Sequence, residues 1–306
     1  MLDTIAVVVR FVQFAAAMVL LGLPFFCWRT FRNVGATTPS WPRPWLWGAA
    51  GVLLVSGVAS AMAQTALMFD EPAAAARAAD VISVLLDTQV GRGLAARLVL
   101  ALTFLGFLAW QRSDRAIWRG GMLLGALIAA SFAWTGHGAA TEGPGGYLHL
   151  AADIVHLLAA AIWLGALVPL LVLVLRARRA TSSADRRLAH DSLDGFSGVG
   201  TTAVALLVVT GAINSWFLVG PRNIGALPYN LYGQLLLAKL VLFAAMLAFA
   251  SANRFWLTPA LHRGLATAPE EPLRALRTSI LLETAAGLLV LGLVSLLGTL
   301  APVSSL

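Results

Sequence analysis

The sequence predicts an all-α polytopic membrane protein, a bundle of eight transmembrane helices with both termini outside. Three observations carry this expectation. Hydrophobic residues make up 59% of the 306 residues and charged residues only 11%, against roughly 25% charged in a globular chain, and the mean hydropathy is +0.83. Eight apolar runs each approach the roughly 20 residues that a spanning helix needs. The basic residues divide unequally between alternate loops. A soluble enzyme cannot hide this much apolar surface, and a disordered chain does not carry it. The net charge of +7 sits in short loops, which is a topology signal and not the basic patch of a nucleic-acid binder.

The runs cover about 5–27, 45–68, 90–110, 118–136, 149–175, 197–219, 232–256 and 278–300. They are apolar on every face, so they read as helices; a membrane strand has about 10 residues of alternating polarity. The first run is too long for a signal-peptide core, contains Arg10 and Pro24, and is followed by Arg29 and Arg32, so it is expected as a mature helix. Gly121 and Gly125 give the fourth run a small-residue spacing suited to close helix packing. Loops near 20 residues are expected at about 69–89, 176–196 and 257–277, which leaves no room for a separate soluble domain. The chain thus reads as one transmembrane domain, 1–306.

The loops after the first, third, fifth and seventh runs hold three, three, five and four arginines, fifteen in all, while the opposite side holds Arg77, Arg92 and Arg222. The positive-inside rule places the fifteen in the cytoplasm. Cys27 is the one cysteine, so an intramolecular disulfide and multi-cysteine zinc or iron–sulfur sites are excluded.

Ionisable groups at membrane depth are costly and mark function. At about 1.5 Å per residue, Arg10, Arg97, Asp153, His156 and Lys239 lie roughly 6–10 Å below the outer face, with Asn214 near the same level. Arg97, Asn214 and Lys239 form a supporting polar layer in this reading. Glu283 stands apart near the inner face, level with Asn253 and Arg254, where a Glu283–Arg254 tether is expected.

Three of the five histidines fall between residues 137 and 156. The hairpin 118–175 carries them. His149, Asp153 and His156 follow at i, i+4 and i+7, which keeps them on one helix face. His149 and His156 are about 10.5 Å apart along the axis, so both do not ligate one ion on a straight helix. The expectation is an outer metal site using His137 and His149, with Asp153 in support and His156 as a deeper ligand completed from another helix. Imidazole suits copper, zinc, iron and nickel; thioether selects Cu(I). Met62 and Met68, at the outer end of the second run, are candidate soft ligands. His190 and His262 lie in arginine-rich inner segments and are expected to be surface residues.

The stretch from His149 through Asp153 and His156 to Trp163 and Gly165 resembles the core of the CopD copper-resistance membrane proteins. So do Thr88-x-x-Gly91 with Arg97, Gly211-x-x-Asn214, Tyr232-Gly with Lys239, Asn253-Arg254 before Pro259, and Glu283 ahead of Pro302. The resemblance spans about 5–302, essentially the whole chain. It implies a bacterial inner-membrane protein of copper homeostasis that takes up a copper ion from the periplasm, served by a separate periplasmic carrier of the CopC type. It also implies that His137, His149 and His156 face copper. The alternative is a haem-binding redox protein of the membrane cytochrome type, in which histidines on facing helices hold the haem. A proton-coupled carrier using Lys239, Asp153 and Glu283 is a third class. No phosphate-binding loop and no nucleophile–base pair is recognisable, so a non-enzyme is expected.

Overall fold

The computed structural model describes residues 2–31, 41–136, 141, 143–179, 183–265 and 269–305. The described elements are helical throughout: α1 (Leu2–Phe31), α2 (Pro42–Met68), α3 (Ala78–Asp87), α4 (Gln89–Trp110), α5 (Asp114–Ser131), α6 (Pro144–Arg179), α7 (Ser183–Leu218), α8 (Leu231–Ala252), α9 (Thr258–Gly264) and α10 (Glu270–Leu297). Eight helices are long and apolar enough to cross a membrane, in the eight places where the sequence has its apolar runs.

The segments expected as long loops are largely helical. A short 3-10 turn, Pro72–Ala76, and the amphipathic helix α3 fill the stretch between α2 and α4. There the exposed Arg77 guanidinium donates to Glu71 at 2.6 Å and to Asp80 at 2.5 Å, which holds its pKa above the ordinary arginine value. Helices α6 and α7 each run for 36 residues, about 54 Å at 1.5 Å per residue, well beyond a hydrocarbon core of about 30 Å. Their excess length lies at the arginine-rich end. Arginine, alanine and leucine dominate there, and these are strong helix formers, so the helices continue where hydropathy falls.

Helix α1 is the axis of the bundle. It packs against α2, α5, α6 and α10, and its side is lined by buried Phe14, Met18, Leu20, Leu21, Leu23 and Phe26. The α1–α6 crossing has no side chain between the backbones. A Cβ on Gly165 would lie within 2.7 Å of the Gly22 Cα and would collide with the Met18 carbonyl. The α1–α5 crossing follows the same rule: Gly121 accommodates the Pro24 ring and Gly125 faces the Leu20 carbonyl. The expected close packing at Gly121 and Gly125 is therefore against the central helix. Close approach lets dispersion forces act where lipid offers no hydrophobic gain between helices. At the other end, α4 and α8 start abruptly because Thr88 accepts from the Gly91 N–H at 2.8 Å and Asn230 from the Gly233 N–H at 2.7 Å. The Thr88-x-x-Gly91 motif is thus a helix cap.

Gly165→Val places branched carbon against the α1 backbone. We expect a loss of roughly 2–4 kcal/mol, read as a clear drop in the thermal midpoint of detergent-purified protein. Gly292→Ala, where an added Cβ meets nothing within 4 Å, leaves the midpoint unchanged.

Candidate functional site

At the end of the bundle away from the arginine-rich loops, α1, α6, α7, α8 and α10 enclose a cavity of about 190 Å³. Its wall carries His149, Asp153 and His156 from α6, Asn214 from α7, Lys239 from α8 and Arg10 from α1. Most of the outer polar layer expected from depth therefore converges. Gly136, which closes the 3-10 turn Phe132–Thr135 after α5, lines the same cavity. His137 follows it in sequence and lies outside the described residues.

Each α6 group has a defined partner. His149 is only 1% exposed; its ring stacks on Phe217 with centroids 4.7 Å apart, and Nδ1 sits 2.7 Å from the Thr141 hydroxyl. Asp153 Oδ1 accepts from Asn214 Nδ2 at 3.4 Å. His156 Nδ1 lies 2.9 Å from Thr210 Oγ1. The Thr210 hydroxyl proton already goes to the Leu206 carbonyl at 2.6 Å. The hydroxyl must then accept, so His156 Nδ1 carries the hydrogen and Nε2 keeps its lone pair. That is the arrangement of a metal-ligating imidazole, whose other nitrogen donates to a fixed acceptor. Two polar atoms on the wall, Arg10 Nε and Asn214 Oδ1, are buried without a protein partner, which suits a cavity that receives a polar guest.

Arg97 is not part of this wall. It is 4% exposed and lies behind Phe132, its guanidinium 3.5 Å from that ring's centroid. It donates to Gln13 Oε1 at 3.1 Å, Ser131 Oγ at 3.1 Å, the Ser131 carbonyl at 3.3 Å and Thr135 Oγ1 at 3.0 Å. Gln13 in turn donates to the Ser56 carbonyl at 3.0 Å. Arg97 is thus a positioning residue: it ties α1, α2 and α4 to the turn that ends α5. Shared depth did not reveal this, because depth says nothing of the direction a side chain takes around its helix. Met62 and Met68 are 41% and 61% exposed and face away from the bundle, so the structure does not bring them to the histidines. Met18 of α1 lines the cavity instead, one polarisable sulfur from the central helix.

Two further cavities follow along the bundle, each sharing lining residues with the one before it. A middle cavity of about 350 Å³ shares His156 and Lys239 with it, and an inner cavity of about 280 Å³ shares Trp163 with the middle one. At this inner junction Glu283 is 2% exposed. It accepts from Trp163 Nε1 at 2.9 Å and from Asn253 Nδ2 at 3.0 Å. The expected Glu283–Arg254 tether is not formed, since Arg254 hydrogen-bonds Thr201. A π-turn, Asn253–Leu257, follows α8 at this point, a feature common at functional positions in helices. The described histidines of the outer cavity, His149 and His156, both belong to α6, so the described part of that cavity does not offer a haem two imidazoles from facing helices.

Replacing Arg97 with Met strands the Gln13 amide, the Ser131 groups and the Thr135 hydroxyl. Each buried group left without a partner costs roughly 1–3 kcal/mol, so Arg97→Met should lower the thermal midpoint strongly. Arg254→Met, at the bundle periphery, should change it little.

The sequence comparisons agree with this architecture. Residues 1–147 match the family described as copper resistance protein D-like, N-terminal domain, and residues 190–297 match copper resistance protein D. The chain is 34% identical to copper resistance protein D of Pseudomonas syringae pv. tomato over 98% of its length and 97% of that protein. It is 32% identical to inner membrane protein YebZ of Escherichia coli (strain K12), covering 73% of this chain and 72% of that one. It is 33% identical to copper transport protein CutJ of Bacillus subtilis (strain 168), covering 42% of this chain and 22% of that one. A helical bundle of this architecture, matched along nearly its whole length, belongs to the copper resistance protein D family.

Proposed function

We propose that this multi-pass inner-membrane protein carries copper from the periplasmic side inward along the three cavities, without catalysing a chemical conversion. The arginine-rich loops then face the cytoplasm. Copper supplied outside by a periplasmic carrier of the CopC type enters the outer cavity at His149 and the adjoining segment that carries His137. It passes to His156, with Met18 and Asp153 on the same wall. The observation that carries this reading is the placement of His156: its Nδ1 meets the Thr210 hydroxyl, whose proton goes to the Leu206 carbonyl, and the residue lines the wall shared by the outer and middle chambers.

The donor set suits copper. Imidazole binds copper in either oxidation state and thioether favours Cu(I). Arg10 and Lys239 on the same wall oppose the charge of a resident cation, which suits transit over storage. The copper names of the relatives from Pseudomonas syringae and Bacillus subtilis support the same cargo.

Two measurements test this. Cells that make the protein should accumulate more copper than cells that lack it, and His156→Ala should abolish the difference; equal accumulation in all three rejects inward transport. In purified protein, Thr210→Val removes the acceptor that fixes His156. The cost expected for losing such a partner is about 10–100-fold in metal affinity, read by competition with a Cu(I) chelator. An unchanged affinity rejects His156 as a ligand.

A further inference from the structure

Two histidines outside the outer cavity meet at the arginine-rich end of the bundle. His190 lies near the start of α7 and His262 on α9, and their ring centroids are 4.9 Å apart with planes inclined by 41°. His190 Nδ1 is 3.0 Å from Asp191 Oδ1. That contact occupies the Nδ1 edge of the ring, so Nε2 is the nitrogen left for another partner. His262 is exposed, and the His190 side chain is 15% exposed. The pair lies about one helical turn from residues that line the inner cavity. Leu193, three residues after His190, and Thr258, four residues before His262, both line that cavity. The π-turn Asn253–Leu257 ends where α9 begins.

We propose that His190 and His262 form a second copper site, an exit station that takes Cu(I) between two imidazoles, with Asp191 orienting the His190 ring. This deepens the copper reading given above and rests on it. The choice of ion follows from the donors and the field. Among the described residues no group of three or more histidine, cysteine or acidic side chains is gathered, so the pair would offer an ion two imidazoles. A structural zinc ion takes four ligands, whereas Cu(I) is stable with two. Arg186, Arg187 and Arg263 lie within one helical turn of the pair, and their repulsion of a bound cation grows with its charge, which favours a monovalent ion. The exposed His262 ring is open to an acceptor in solution.

The test uses the full chain in detergent, loaded with Cu(I) from a chelator and then freed of loosely held metal. In a His137→Ala/His149→Ala/His156→Ala background the outer imidazoles are gone, and the chain should retain copper with an X-ray absorption spectrum of nitrogen ligation at low coordination number. Adding His262→Ala should remove about one copper per chain and leave the thermal midpoint unchanged, since that side chain is exposed. The proposal is overturned if the background variant holds no copper while wild type does, a result that leaves the outer site standing. It is also overturned if His262→Ala changes nothing, or if the pair holds zinc and not Cu(I). Wild type that binds no copper at all overturns both this site and the transport reading.

Discussion

The α1–α6 crossing is the contact on which the site depends. Gly22 and Gly165 let the two backbones touch, and this fixes the rotation of α6 about its own axis. That rotation decides where four functional side chains go, because His149, Asp153, His156 and Trp163 all ride on α6. With α6 seated against α1, these residues line chambers shared with α7, α8 and α10. A helix held off by a methyl or larger group would turn or tilt, and polar groups would meet lipid at a cost of several kcal/mol each. Small residues at a crossing therefore act at a distance on chemistry several turns away.

The polar groups in the bundle separate into three clusters with different tasks. Arg97 is surrounded by neutral oxygens and a ring face, and holds helix ends together. Asp153, His156, Asn214 and Lys239 line a cavity, and Asn214 Oδ1 is buried there without a protein partner. Glu283 is held by two neutral donors at the junction of the middle and inner chambers. Helix tethering and cavity lining thus fall to different residues, although all lie at membrane depth.

The eight spans were legible because lipid demands long runs that are apolar on every face. Helix ends were less legible at the arginine-rich side, since hydropathy marks where lipid stops and not where hydrogen bonding stops; α7 begins at Ser183, well before its apolar stretch. The spacing of His149, Asp153 and His156 gave their common wall directly. Their partners did not follow, because Thr210 and Phe217 come from another helix and look like ordinary span residues. Gln13 was missed although its signal was there: an amide in an apolar run one turn below Arg10 needs a partner, and it has Arg97. Glu283 and Arg254 share a level yet do not pair, since the indole of Trp163 and the amide of Asn253 reach the carboxylate.

The hydrogen bond from His156 to Thr210 has a mechanical side. The threonine proton is committed to Leu206, so the imidazole cannot exchange its two nitrogens by a ring flip without stranding a buried N–H. The ring is therefore a fixed vane and not a swinging arm. In the transport proposed above, an ion taken up at Nε2 would advance by a shift of the surrounding walls and not by rotation of that side chain.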